Sequence, residues 1–67
     1  MKYILLTSAR DKGVIVKVDG RKHFEYEKGI GWVRSGIMSD YYLPYGVCYD
    51  MYHEISEEEA NNLIANM

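Results

Sequence analysis

One cysteine, Cys48, and two histidines, His23 and His53, are the side chains of this 67-residue chain best suited to nucleophilic or metal chemistry. An activated cysteine needs a neighbouring base or positive surroundings. Cys48 and His53 lie five apart in "CYDMYHEI", and an odd separation on a strand sends two side chains to opposite faces. The neighbours of Cys48 are acidic and aromatic and supply neither a base nor a positive charge, so it reads as a small, partly buried apolar residue. His53 shares its parity with Tyr49, Met51 and Ile55 and reads as a core-edge residue. Zinc would require four ligands at spacings such as C-x-x-C or H-x-x-x-H, and neither spacing occurs. The "GIG" at 29–31 is no dinucleotide loop, because the third glycine of G-x-G-x-x-G would fall on Arg34. Glu57, Glu58 and Glu59 could resemble paired acid–base carboxylates, but adjacent helical positions point in different directions and helix capping accounts for all three. No catalytic, cofactor-binding or metal-ligating residue is assigned, and the chain is expected to be non-catalytic.

Charge and tyrosine content offer two binding surfaces. The net charge of −2 conceals an asymmetry. Residues 1–34 hold all eight Lys and Arg against four acids, net +4, while residues 35–67 hold six acids and no Lys or Arg, net −6. Such a split bears on partners. In the first half, Lys17, Arg21, His23 and Lys28 form a candidate surface for single-stranded nucleic acid, since basic sheets with interleaved aromatics bind single strands. A pI near 5.5 counts against that reading. In the second half, Tyr41, Tyr42, Tyr45, Tyr49 and Tyr52 crowd twelve residues. Tyrosine combines contact area with a hydrogen-bonding tip and is enriched at interfaces. Tyr42, Tyr45, Asp50 and Tyr52 are therefore the candidate protein interface, with Tyr52 foremost because its parity turns it away from Met51. The expected function is a binding or regulatory role through a protein–protein interface, with single-stranded nucleic acid as the alternative. The partner is unidentified, and a second copy of the chain is one candidate.

Positioning these groups falls to a small α+β domain spanning 1–67, an antiparallel sheet of four or five short strands with a C-terminal helix on one face. "KYILLTSA", 2–9, is apolar at both parities, which predicts a strand covered on both sides. A homodimer would suit so small a chain by covering Ile4 and Leu6. "VIVKVDGRKHFEY", 14–26, predicts a hairpin. Closing it through Val18-Asp19-Gly20 places Val14, Val16, Phe24 and Tyr26 on one core face beneath the terminal helix. Ile15, Lys17, Arg21, His23 and Glu25 are then left wet on the other face. Gly29 and Gly31 bend a second hairpin into Trp32 and Val33. "SGIMSDYY" predicts a short helix near 36–42, ended by Pro44 and Gly46. Residues 48–55 alternate as a strand. Ser56 with Glu59 forms a capping box, and Ala60, Leu63, Ile64 and Met67 make the apolar stripe of a final helix.

Stability must come from packing or association, because a chain this short buries only about 60% of its unfolded surface and one cysteine allows no internal disulfide. Four apolar residues, Tyr3 to Leu6, fall short of the seven or so of a secretory signal, and no run nears the roughly 20 that span a bilayer. A cytoplasmic location is expected, with no membrane association.

Overall fold

The computed structural model describes residues 1–67. Five antiparallel strands, β1 (Lys2–Leu6), β2 (Ile15–Asp19), β3 (Lys22–Glu27), β4 (Gly31–Arg34) and β5 (Tyr52–Ile55), form one sheet in the order β4-β3-β2-β1-β5. Two helices, α1 (Ser39–Tyr42) and α2 (Glu57–Ala65), complete this α+β fold. No helix is long and apolar enough to cross a membrane.

The topology explains most of the packing. β1 to β4 make a meander, yet β5 pairs with β1 at the opposite edge. With strands about 4.8 Å apart, residues 35–51 must travel across the sheet to reach it. In crossing they lay Met38, Tyr41 and Cys48 on Ile4, Leu6 and Val16, and these six residues are the buried apolar cluster. The chain then returns on the other face as α2, which packs on β1. There the Tyr3 hydroxyl donates to Glu57 Oε2 at 3.2 Å. β1 is thus covered on both sides, as its mixed parity requires. The covering of Ile4 and Leu6 is supplied by the chain itself, so these residues give no motive for a homodimer.

The terminal helix follows its sequence signals. Ser56 caps it, its Oγ accepting from the Glu59 amide at 3.0 Å, and the three glutamates fill the first turn. Ala60 is buried and Ile64 half-buried, while Leu63 and Met67 remain exposed. The latter two border a cavity of about 290 Å³ with Leu5 and Ile15.

The β2–β3 hairpin departs from expectation. The pairs are Val16↔Glu25, Lys17↔Phe24, Val18↔His23 and Asp19↔Lys22. Gly20 and Arg21 therefore make a two-residue turn. Gly20 takes φ +63° while Arg21 stays at negative φ, the pattern of a type II′ turn with glycine first. Asp19 faces Lys22 across the ladder, a favourable pair. This register overturns the assignment of Phe24 and Tyr26 to the face of Val14 and Val16. Val16 turns to the cluster beneath residues 35–51, not to α2. Ile15, expected to be wet, is fully buried on the α2 side. Phe24 shares its face with Lys17.

The last strand also begins later than expected. Residues 48–50 are turns, with Asp50 at φ +64°, and only Tyr52–Ile55 is paired as a strand. The left-handed residue interrupts the alternation read from the sequence. The short helix is likewise trimmed to Ser39–Tyr42.

Candidate functional site

Residues 42–51 form a compact loop whose base is closed on every side. The Asp50 amide donates to the Tyr41 carbonyl at 3.1 Å, and the Thr7 amide to the Met51 carbonyl at 2.9 Å. Inside, the Gly46 amide donates to Leu43 and the Met51 amide to Cys48. Gly46 lies so close to the Asp40 backbone that a Cβ there would overlap its carbonyl. Cys48 points inward and anchors the loop in the apolar cluster. Such a loop, ends together and packed by its own side chains, is a common carrier of function.

What it leaves outside is unusual. Tyr45 is 83% exposed and Val47 82% exposed, and Tyr42, Leu43, Tyr49 and Met51 are exposed beside them. Scattered apolar residues on a surface need no explanation, whereas several on one loop make it a candidate interaction site. Of the residues expected here from sequence, Tyr42, Tyr45 and Asp50 lie on this surface. Tyr52 does not stand out from it. Its side chain is half-buried against the apolar cluster, edge-on to Tyr41 and Tyr42 at 6.4 and 5.9 Å. Leu43, Val47, Tyr49 and Met51 escaped the sequence reading because the presumed strand placed Tyr49 and Met51 on the covered side.

A polar network ties α1, at the base of the loop, to the connection between β1 and β2. Tyr41 is fully buried, and its hydroxyl donates to Asp11 Oδ2 at 2.6 Å. With that proton committed, the buried Ser8 hydroxyl donates to Tyr41 Oη at 2.6 Å. The Asp11 amide in turn donates to Ser8 Oγ at 3.1 Å. Arg10 joins Asp11 and Asp40, at 2.9 and 3.0 Å. Burial pushes the Tyr41 phenol up to about 12, reinforced by the bond to Asp11. The same bond, and then Arg10, holds Asp11 below the usual carboxylate value. Every polar group is satisfied, so the network orders residues 35–51 without poising a nucleophile.

The remaining chemistry-bearing residues are dispersed. Cys48 is buried in the apolar cluster and His53 is exposed on β5. His23 sits on the opposite face from Lys17, with its Nε2 3.1 Å from the Tyr42 hydroxyl. It borders a recess of about 270 Å³ with Ser35, Gly36, Met38, Ser39 and Tyr42. Burial, with the nearby Tyr52, raises the Tyr42 phenol.

The basic half divides similarly. The four candidates Lys17, Arg21, His23 and Lys28 do not share one surface. Arg21 occupies the β2–β3 turn, Lys28 the β3–β4 turn, and His23 the face covered by residues 35–51. Lys17 instead joins Trp32, Arg34 and Phe24, the last of which the expected register had set on the opposite face. Its Nζ lies 4.7 Å from the Trp32 ring centroid and 5.3 Å from that of Phe24. Comparison with known proteins finds no matching family model and no similar curated protein or solved structure.

Proposed function

We propose that this chain is a non-catalytic binding protein and that the loop 42–51 is its docking surface for a partner protein. The observation that carries the reading is the near-complete exposure of Tyr45 and Val47 on a loop closed at its base. Large apolar side chains held out by a rigid support lose little conformational freedom on binding, so more of their burial appears as affinity. Tyrosine and methionine are also the residue types enriched at the centres of interfaces.

The chemistry of the partner follows from the loop. Its tip is apolar and aromatic, and the half of the chain that contains it carries six acids and no Lys or Arg. A complementary surface is an apolar pocket with a basic rim. The chain's own first half is net +4, so a second copy is one such partner.

Two experiments test the reading together. Sedimentation of the purified chain over a range of concentrations separates self-association from a different partner. Affinity capture from lysate of the source cells then compares the native chain with a Tyr45→Ser, Val47→Ser double variant. Loss of a discrete partner, or of the dimer, in a variant that keeps its circular dichroism supports the proposal. Equal capture and equal association state in both proteins would refute it.

A further inference from the structure

A second surface, independent of the loop, emerges from the strand register. Tyr3 pairs with Lys17, Lys17 with Phe24, and Phe24 with Arg34, so four side chains stand in line across β1, β2, β3 and β4. They alternate aromatic, cation, aromatic, cation. Trp32 lies beside this line, 6.1 Å from Tyr3 and 5.3 Å from Tyr26, centroid to centroid. The Arg34 guanidinium is 5.7 Å from the Phe24 ring. At about 4.8 Å per strand the line is roughly 14 Å long. The helix α2 seats on β1, at the far side of the face from β4, and Phe24, Tyr26 and Trp32 keep part of their surface in solvent.

The electrostatics of this face differ from those of the whole chain. Lys17, Lys22 and Arg34 stand against Asp19 by register and, at the β1 side, Glu57, whose Oε2 accepts from Tyr3. The ion pairs of the structure involve only Arg10, with Asp11 and Asp40. Lys17 and Arg34 therefore have no carboxylate partner and rest over aromatic rings instead, while Lys22 faces Asp19 across the ladder without a close ion pair. Rings with unpaired cations between them provide for both parts of a single-stranded nucleic acid, the bases by stacking and the phosphates by charge. A duplex offers phosphates but hides its base faces.

We propose that the face formed by Lys17, Phe24, Trp32 and Arg34, with Lys22 at its rim, binds single-stranded nucleic acid. The footprint lies over β2, β3 and β4 and accommodates about two or three bases. Its limit toward β1 is set by Glu57, which accepts the Tyr3 hydroxyl and would repel a phosphate. Lys17 is the central cation. A base stacking on Trp32 displaces its ammonium from the ring toward the adjoining phosphate.

Trp32 is the only tryptophan, so its fluorescence reads this face directly. The test titrates the full chain with single-stranded oligothymidylate and oligouridylate of about ten nucleotides, long enough to cover the footprint with flanking phosphates. A duplex of equal length and poly-L-glutamate serve as controls. Quenching is expected with the single strands alone. Three neutralised phosphates imply affinity falling roughly twentyfold between about 50 and 200 mM salt. Lys17→Ala and Arg34→Ala each weaken binding by about tenfold, as does Phe24→Leu, which keeps an apolar side chain but removes the ring. Lys12→Ala, whose residue borders the cavity under α2, binds as the native chain. Circular dichroism verifies that each variant is folded. An unquenched Trp32 at low salt overturns the proposal, and so do Lys17→Ala and Arg34→Ala variants that bind normally. An equal response to poly-L-glutamate also overturns it and assigns the face to an acidic peptide. None of these outcomes bears on the loop 42–51.

Discussion

Replacing Tyr41 by Phe removes one oxygen atom from the interior and leaves the ring in place. That oxygen makes two bonds of 2.6 Å, one donated to the Asp11 carboxylate and one accepted from Ser8. A hydrogen bond to a charged group contributes about 1.5–3 kcal/mol and a neutral one about 1 kcal/mol. Asp11 keeps Arg10, and Ser8 Oγ keeps the Asp11 amide, so part of the loss is recovered. The expected cost of Tyr41→Phe is about 2–3 kcal/mol. Domains of this size rarely hold more than about 3–5 kcal/mol in their cores, and each kcal/mol moves Tm by roughly 4–8 °C. Urea denaturation at pH 7 and thermal melts measure the effect. A loss below about 0.5 kcal/mol would refute the assignment of this network as the clamp on residues 35–51. The pH dependence provides a second reading of the same variant. The folded value of Tyr41 lies above its unfolded value of 10.0, at about 12. Its contribution is complete below pH 10 and disappears as pH rises toward about 12, because only the unfolded chain ionises readily in that window. The native chain is expected to lose stability there, and Tyr41→Phe to lose less.

Further predictions follow from the same contacts. Asp11 is held below its ordinary value, so its contribution is present above about pH 3.9 and fades as pH falls through the lower folded value. An Asp11→Asn variant is expected to show a shallower acid limb in pH-dependent denaturation. Gly46→Ala brings a methyl group against the Asp40 carbonyl. It is expected to cost about 1–3 kcal/mol and to speed hydrogen exchange at the Asp50 amide, which closes the loop. Ser56→Ala removes the cap of α2 and is expected to cost about 1 kcal/mol by urea denaturation.

The elements of the fold were legible where local chemistry and packing agree. Ser56, the glutamates and the spacing of Ala60 and Ile64 specify α2 without reference to the rest of the chain. The double-sided strand was legible in Tyr3 to Leu6 because apolar residues at both parities have no other use. The hairpin register was not. Ile15 on one side of β2 and Val16 on the other are both buried, so burial alone does not select a register, and the adjacent Asp19-Gly20 pair offers a plausible but wrong turn. The informative signals were the left-handed freedom of Gly20 and the opposite charges of Asp19 and Lys22, which flank a Gly-Arg turn. The loop posed a different difficulty. Tyr41 and Tyr45 are the same residue type four positions apart, yet one is fully buried and the other 83% exposed. That difference arises from the route of residues 35–51 across the sheet, a long-range constraint that composition does not encode. It also explains why the exposure of Tyr45 was legible from its Pro-Gly surroundings while Tyr52, expected to be exposed, is half-buried.

Site-specific photocrosslinking addresses the role of the loop most directly. A benzophenone side chain replaces Tyr45 or Val47 in turn, and replaces Asn61, exposed on α2, as the control. After irradiation in the source cells, positions 45 and 47 are expected to yield the same discrete adduct, either with a partner protein or with a second copy of the chain, and position 61 to yield none. Adducts of equal yield and identity at all three positions, or none at 45 and 47, would contradict a docking surface on residues 42–51.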